Sequence, residues 1–174
     1  MQVMINTTTR MGNDFTQDTS SSREAVTMSS DDAAGILVRY ENGARGTISI
    51  SQVSAGRKNS LNWEISGSKS ALAFDSENPE ALWIGHRGRP NEILLKDPGA
   101  LAPVAASNAF YPGGHVEGFG ETFRGFIEKV YADIESGERN GLYPTFADGV
   151  ESLQITDAIA KSSKENRWID VERK

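Results

Sequence analysis

Alternation of apolar and polar residues predicts antiparallel strands in the first half of the chain. The run GILVRY is followed by Asn42-Gly43 and then by ARGTISISQV, in which Ile48 and Ile50 alternate with Thr and Ser. An Asn-Gly pair between two such runs is typical of a β-hairpin, because both residues tolerate the positive φ angles of a tight turn. We therefore predict a hairpin over residues 33–54 with one buried and one polar face.

A second alternating stretch extends this pattern into a meander. Leu61, Trp63 and Ile65 alternate with polar residues, and Gly67-Ser68-Lys69 then provides a turn before the next apolar run. Shorter apolar pieces follow, separated by a Gly- and Pro-containing segment. The predicted strands are 61–66, 71–74, 81–84 and 92–95.

Two stretches lack a clear period. Residues 1–30 are mostly polar and predict a loop, apart from a weak alternation at 2–8 that predicts a short edge strand. Residues 97–115 contain Pro98, Pro103 and Pro112 and predict an ordered but irregular connection.

Helical spacing dominates the last third of the chain. Apolar residues from Phe119 to Ile134 recur at three- and four-residue intervals, and Gly137 is a suitable helix end. A second helix is predicted over 146–166, with Thr145 as N-cap and Asp148 three residues later. Residues 168–171 predict a closing strand. The apolar residues expected to face one core are Phe119, Phe123, Phe126, Ile127, Val130 and Ile134 of the first helix, and Val150, Leu153, Ala158 and Ile159 of the second.

Strands precede helices without the alternating rhythm of a parallel sheet, so the order predicts an α+β fold. We expect residues 1–174 to form a single domain with an open, mainly antiparallel sheet and helices packed on one face. In that domain residues 31–96 supply the antiparallel strands, and 116–174 supply two helices and the closing strand.

Composition excludes several classes of function. The 174 residues include 18 Lys and Arg against 24 Asp and Glu, a net charge of −6, which does not suit a nucleic-acid-binding surface. Cysteine is absent, which excludes thiol nucleophiles, thiolate zinc sites and disulfides. No apolar run approaches the roughly 20 residues of a membrane span, and no signal peptide is recognisable. We expect a cytoplasmic protein with neither a nucleic-acid nor a membrane partner.

Motifs for self-contained catalysis are also missing. The glycines of GGHVEGFG open a helix, but their spacing differs from GxGxxG and no strand precedes them. His86 and His115 are too few and too far apart to predict a metal site. We therefore predict no cofactor-binding residues and no metal site in this chain.

Two loops could carry chemistry. The segment SQVSAGRKN places Arg57, Lys58 and Asn59 together after a strand, where they could bind a polar ligand or lie solvated at a strand end. His115 lies where a helix begins and could act on a ligand, or it could cap or pack that helix. A third segment, residues 143–149, is explained by helix initiation alone.

Four stretches together resemble a known family. They are DDAAGILVRYENGARGTISISQVSAGRKN, the strand pair from Ile65 to Phe74, PGGHVEGFGETF, and PTFADGVESLQITDAIAKSSKENRWIDV. In these segments the chain resembles the C-terminal domain of the Gfo/Idh/MocA oxidoreductases, over about four fifths of its length.

The resemblance implies a role that the chain cannot complete alone. Members of that family bind NAD or NADP in an N-terminal Rossmann domain with an EKP-like lysine motif. Their C-terminal domain contributes to a sugar or polyol pocket and to the oligomer interface. This sequence has no Rossmann domain, no EKP-like motif and no DxxxH helix. Arg57, Asn59 and His115 map onto the substrate side, and His115 is the residue with catalytic potential.

Two functions remain as hypotheses. The first is the substrate-binding and oligomerisation domain of an NAD(P)-dependent sugar or polyol dehydrogenase, catalytically incomplete here and with no cofactor expected for this chain alone. That hypothesis includes a homo-oligomer, most simply a dimer through the exposed face of the sheet. The alternative is a stand-alone binding or scaffold protein that keeps the oligomerising sheet without redox activity.

Overall fold

The computed structural model describes residues 30–139 and 143–172, together with the backbone of residues 3–4. Its strands are β1 (Val3–Met4), β2 (Ala33–Arg39), β3 (Arg45–Ser51), β4 (Asn62–Ser66), β5 (Ser70–Asp75), β6 (Ala81–His86) and β7 (Glu92–Leu95). Its helices are α1 (Pro103–Ala106), α2 (Phe119–Ser136) and α3 (Phe146–Glu165).

The strands form two antiparallel sheets, which confirms the predicted mixed fold class. Sheet A has the order β1-β2-β3, and sheet B has the order β4-β5-β6-β7. The sequence pattern alone suggested one sheet, but the chain is divided into two compact units. Residues 1–56 and 145–174 contain sheet A and α3, whereas residues 57–144 contain sheet B, α1 and α2.

The first predicted hairpin is present, with a turn that differs from the prediction. β2 and β3 pair from Ala33 opposite Ser51 to Arg39 opposite Arg45. Gly43 has a φ of 88°, whereas Asn42 has a negative φ, so the two-residue turn with both angles positive is wrong. The Gly43 N–H donates to the Tyr40 carbonyl at 3.0 Å, which gives a three-residue loop with glycine in the left-handed position.

The predicted N-terminal edge strand is confirmed for two residues. Val3 and Met4 pair with Ala34 and Ala33 at the edge of sheet A. The remainder of the 2–8 prediction and the polar loop up to residue 29 lie outside the described residues.

Sheet B has two chemically different faces. The register places Trp63 opposite Phe74, then Leu82 and Leu94, in one cross-strand row that is apolar from edge to edge. We call the face that carries this row the Trp63 face. The other face has Glu64 opposite Ala73, then Trp83 and Ile93, and we call it the Trp83 face.

Helix ends follow the predicted chemistry. α2 ends at Ser136, and Gly137 adopts the left-handed conformation at φ 69°, as its position predicted. α3 begins after Thr145, whose side chain accepts from the Asp148 N–H. The irregular connection contains one unpredicted turn of helix, α1, for which Pro103 occupies a favourable first position. No described helix has both the length and the apolar character needed to cross a membrane.

Two predictions about the C-terminal third are wrong. Residues 168–171 form no strand; instead the Arg39 guanidinium lies 3.8 Å from the centre of the Trp168 ring, so the ring packs against a side chain of β2. The apolar residues of the helices also do not all reach a core. Phe119 is 74% exposed in the chain, and Val150 and Leu153 are exposed as well, because few side chains cover these helix faces.

Candidate functional site

The tight connection between β5 and β6, residues 76–80, organises one end of sheet B. We call it the β5–β6 turn. Asp75, the last residue of β5, precedes this turn. Asp75 Oδ1 accepts from the Glu77 N–H at 2.9 Å, and the Asp75 carbonyl accepts from the Asn78 N–H at 3.0 Å. These short-range bonds satisfy the turn's own backbone and leave the side chains of Ser76, Glu77 and Glu80 directed to other segments.

Ser76 and Glu77 hold the first of the two predicted loops. The Ser76 N–H donates to the Leu61 carbonyl at 2.9 Å, and the Leu61 N–H donates to Ser76 Oγ at 2.8 Å. Ser76 Oγ also lies 3.4 Å from the Asn59 carbonyl, to which it donates. Arg57 forms an ion pair with Glu77. The turn therefore anchors the predicted ligand loop at both its arginine and its last residues.

Glu80 holds the second predicted loop. Its Oε1 accepts from the Glu117 N–H at 2.8 Å, and its Oε2 lies 3.4 Å from Lys96 Nζ. Lys96 Nζ in turn donates to the His115 carbonyl at 2.8 Å and to Glu117 Oε1 at 2.7 Å. The Glu117 N–H is thus tied to the β5–β6 turn, and the His115 carbonyl is tied to Lys96, the residue after β7.

Glu117 is the centre of this second anchor. It is 8% exposed, and its carboxylate accepts from the N–H groups of Phe110 at 3.1 Å and Tyr111 at 2.5 Å as well as from Lys96. Burial acts to raise the pKa of the Glu117 carboxyl, but the Lys96 and backbone hydrogen bonds outweigh it, so the pKa lies below its ordinary value. Burial acts to lower the pKa of Lys96, but its bonds to Glu117 and Glu80 raise it.

The segments that contain the three predicted site residues are therefore held by the same short turn, the β5–β6 turn. Glu77 and Glu80 are three residues apart, a separation of at most about 10 Å along the chain. Arg57 and Asn59 belong to the segment held at the first position, and His115 to the segment held near the second. All three residues are exposed. We predict that the His115 ring and Arg57 converge on one ligand, and their shared support is the feature of the structure that favours this prediction.

Sequence reasoning missed the residues that provide this support. Glu77, Glu80, Lys96 and Glu117 had no local pattern that singled them out. Each makes a contact with a residue far along the chain: Arg57 and Glu77 are 20 positions apart, Lys96 and Glu117 are 21 apart, and Glu80 and Glu117 are 37 apart. Only Glu117 had a usable signal, because a carboxylate beside the glycines of a helix start often accepts backbone N–H groups.

A groove of about 460 Å³ also opens on sheet B. Most of its lining residues lie on the Trp83 face, Trp63 and Phe74 also line it, and it reaches the β5–β6 turn at Asn78. Polar side chains at Asn62, Glu64 and Asp75 line it beside the Trp83 ring. Arg57, Asn59 and His115 do not line this groove.

Residues 3–171 match the model of an oxidoreductase family, the C-terminal alpha/beta domain of the Gfo/Idh/MocA group. The chain belongs to this family. One curated relative is the levoglucosan dehydrogenase of Pseudarthrobacter phenanthrenivorans, 26% identical over 151 residues, which cover 81% of this chain and 36% of the relative.

Solved structures agree with that assignment. An oxidoreductase from Sinorhizobium meliloti superimposes with a TM-score of 0.77 at 30% identity, covering 82% of this chain and 42% of the other. An inositol dehydrogenase homolog from Azotobacter vinelandii, complexed with NADH and myo-inositol, gives a TM-score of 0.69 at 27% identity, with coverages of 80% and 39%. The chain spans about two fifths of the length of these relatives.

Proposed function

We propose that this chain is the substrate-binding and oligomerisation domain of an NAD(P)-dependent sugar or polyol dehydrogenase. Family membership over residues 3–171 supports an oxidoreductase, and it also supports the expectation of a single domain. The levoglucosan dehydrogenase and the structure holding NADH and myo-inositol support a polyhydroxylated substrate and a nicotinamide cofactor.

The observation that carries the site proposal is the common support of two loops by the β5–β6 turn. Arg57 offers guanidinium N–H donors, Asn59 offers an amide donor and acceptor, and His115 offers an imidazole. Those groups suit a ligand with several hydroxyls, each of which donates and accepts. His115 is the group able to exchange a proton with a substrate hydroxyl near neutral pH.

NAD or NADP would be held by another part of the complete enzyme. A dinucleotide pyrophosphate needs a glycine-rich turn between a parallel strand and a helix N-terminus. Every strand pair in the described residues is antiparallel, and Gly113, Gly114 and Gly118 precede α2 without a strand before them. The chain's residues therefore do not fit the cofactor, which would supply hydride acceptance when bound elsewhere.

The first experiment tests catalytic incompleteness. Purified chain is titrated with NADH and NADPH by calorimetry and then assayed for oxidation of sugars and polyols. We expect no tight cofactor binding and no turnover, because the pyrophosphate site is missing. Micromolar binding, or turnover that a His115→Ala variant abolishes, would contradict the proposal.

The second experiment tests the site in an enzyme that carries this domain together with a Rossmann domain. Arg57→Ala, Asn59→Ala and His115→Ala should each reduce kcat/KM by about tenfold or more, the cost of losing one hydrogen bond to substrate. Arg89→Ala is the matched control, because Arg89 forms a comparably exposed ion pair with Glu92 at the opposite end of sheet B. Equal effects of Arg57→Ala and Arg89→Ala would rule out the Arg57 assignment.

The alternative, a stand-alone binding or scaffold protein, predicts the same fold. It differs in the DNA upstream of the Met1 codon, which on our proposal encodes an in-frame Rossmann half with its glycine fingerprint. Its absence would favour the scaffold function. We also propose a cytoplasmic location, on the basis of the cysteine-free composition.

A further inference from the structure

Two arginines lie opposite each other at the turn end of the β2–β3 hairpin. The strand register pairs Arg39 with Arg45, so both side chains lie on the same face of sheet A. The neighbouring hydrogen bond runs from the Tyr40 N–H to the Ala44 carbonyl at 3.0 Å, which makes Arg39 and Arg45 a pair without ladder hydrogen bonds of its own. In such pairs the Cα atoms are only about 4.5 Å apart. Two positively charged residues are therefore held side by side.

This pair of like charges needs an anion to offset it, because like charges directly opposite each other destabilise neighbouring strands. Neither Arg39 nor Arg45 forms an ion pair within the described part of the chain. Acidic residues are plentiful, with 24 Asp and Glu against 18 Lys and Arg, so a shortage of carboxylates does not explain this. Four other arginines each form an ion pair with a glutamate, namely Arg57, Arg89, Arg124 and Arg167.

Trp168 holds one of the two guanidinium groups in place. The Cζ atom of Arg39 lies over the indole, 3.8 Å from its centre, where the electron-rich ring face attracts a cation. Stacking of this kind leaves the N–H donors at the edge of the guanidinium free to bind another group. The indole also restricts a side chain with many rotamers, so Arg39 loses less conformational entropy when an anion binds.

Charge and geometry together select the class of anion. One carboxylate supplies a single negative charge and two oxygens, which a single guanidinium satisfies in a bidentate pair. A phosphate monoester carries about −1.5 to −2 charges near pH 7 and three acceptor oxygens, enough for two guanidinium groups. A nucleic acid would need many more cations than this pair in a chain of net charge −6. A small dianionic phosphate is therefore the best match.

We propose that Arg39 and Arg45 bind a dianionic phosphate group, with Trp168 as the residue that positions Arg39. The inference goes beyond the proposed function, because these three residues belong to the compact unit of residues 1–56 and 145–174, whereas the proposed substrate residues belong to the other unit. It requires neither a nicotinamide cofactor nor turnover. Because both arginines are exposed, we expect binding in the millimolar range that weakens as ionic strength rises.

The test follows the arginine Nε–H and indole N–H resonances of the purified full chain at constant ionic strength. The ligands are inorganic phosphate, glucose 6-phosphate, acetate and glucose. We expect both phosphates to shift the Arg39, Arg45 and Trp168 signals saturably, acetate to bind about tenfold more weakly, and glucose to shift none of them. Equal affinities for the two phosphates would make the phosphate group the whole ligand. Tighter binding of the ester would make an organic phosphate the ligand.

Arg45→Gln supplies the decisive variant because it removes one guanidinium and relieves the repulsion. We expect at least about a tenfold loss of phosphate affinity. In phosphate-free buffer the variant should melt no lower than the wild type, which separates lost binding from lost folding. Arg89→Gln is the matched control, because Arg89 is also an exposed arginine in a connection between two strands and its loss changes the net charge equally.

Variants of Trp168 test its positioning role. Trp168→Leu should weaken phosphate binding severalfold, because it removes the ring that holds the Arg39 guanidinium. Trp168→Phe should retain most of the affinity, since a phenyl ring also attracts a guanidinium over its face. Equal affinities of the two variants would contradict the role of the ring.

Three outcomes would overturn the phosphate site itself. One is the absence of a saturable shift of the Arg39 and Arg45 signals with either phosphate. Another is an equal loss of affinity in Arg45→Gln and Arg89→Gln, which would show that net charge alone attracts the anion. The third is acetate binding as tightly as phosphate, which would assign the arginines to single carboxylates.

Discussion

Among the described residues, Glu117 is the charged residue that is buried from solvent. Hydrogen bonds from Lys96 and from two backbone N–H groups replace the hydrogen bonds that its carboxylate would form with water. A buried carboxylate is tolerated only when such partners satisfy it. The bonds also fix the turn that presents His115, which links a stability feature to the proposed site.

Replacing Glu117 by Gln should lower the free energy of unfolding by about 2 kcal/mol, the scale of lost charged hydrogen bonds in a covered position. Urea denaturation near neutral pH measures the change. Glu128→Gln is the control, since Glu128 pairs with Arg124 on an exposed helix face and should change stability much less. Similar losses for both variants would show that the Lys96–Glu117 contact is no stronger than a surface pair.

The Glu117 carboxylate should also make the free energy of unfolding decrease as the pH is lowered. Its pKa in the folded state is lower than the ordinary 4.5, so the unfolded chain takes up the proton first as pH falls. The contribution of Glu117 to the free energy of unfolding should be complete above pH 4.5 and should decline as pH falls through the pKa of the folded state. Urea denaturation over that range should show a shallower decline for Glu117→Gln than for the wild type; equal slopes would contradict the assignment.

At the scale of elements, α3 owes its start to a local motif. Thr145 Oγ1 donates to Asp148 Oδ2 at 2.7 Å, and the Asp148 N–H lies 3.4 Å from Thr145 Oγ1. The Asp148 carboxylate also accepts from the Thr145 N–H at 2.6 Å. These bonds satisfy N–H groups that the first helical turn leaves without partners, which is why the sequence was enough to place this helix end.

Thr145→Ala should therefore destabilise the unit containing α3 by about 1 kcal/mol. Thr156→Ala in the same helix is a matched control, because the Thr156 hydroxyl only donates back to the Ser152 carbonyl and alanine is the better helix former. Urea denaturation of both variants provides the comparison. Equal destabilisation by the two changes would argue against the capping role.

The arrangement of strands was predicted better than the sheets they form. Period-two alternation identified β3 and β4 closely because it records which face each residue lies on, and short apolar runs between turn residues identified β2 and β5 to β7. The turn at Asn42-Gly43 was assigned the wrong geometry, because the same dipeptide fits both a two-residue turn and a three-residue loop with glycine left-handed. The predicted strand at 168–171 is wrong, since this segment pairs with no strand among the residues that the structure describes.

At the scale of the whole molecule, exposed apolar surface supports self-association. On the Trp63 face of sheet B, Ile65 is 62% exposed, and Trp63 and Leu94 are exposed as well. Apolar patches of this kind commonly mark interaction surfaces. On sheet A, Thr47, Ser49 and Ser51 make the corresponding argument weaker.

We expect a dimer through the Trp63 face. Sedimentation velocity at micromolar concentration should report a dimer for the wild type and a monomer for Ile65→Asp, because a buried unpaired carboxylate is costly. Ile50→Asp on sheet A is the control and should stay dimeric. A monomeric wild type would refute the prediction, and dissociation by Ile50→Asp alone would move the interface to sheet A.

The sequence by itself determined the local features of this protein. Alternation, helical spacing and the cap residues at Thr145 and Gly137 act within a few positions, so their outcome can be inferred without the fold. The four family-like segments carried the assignment to an oxidoreductase domain. The candidates Arg57, Asn59 and His115 came from their loop positions, and the resemblance then placed them on the substrate side.

Only the tertiary structure decided how those candidates are supported. The β5–β6 turn reaches Asn59 and Glu117 through contacts between residues 17 and 37 positions apart. The groove exists because Ala73, Glu64 and Trp83 from three strands fall in one row. Such contacts depend on strand register and on the reversal of the chain at turns. These bring together residues that are far apart in the sequence, and the residues next to each of them do not indicate which partner it will contact.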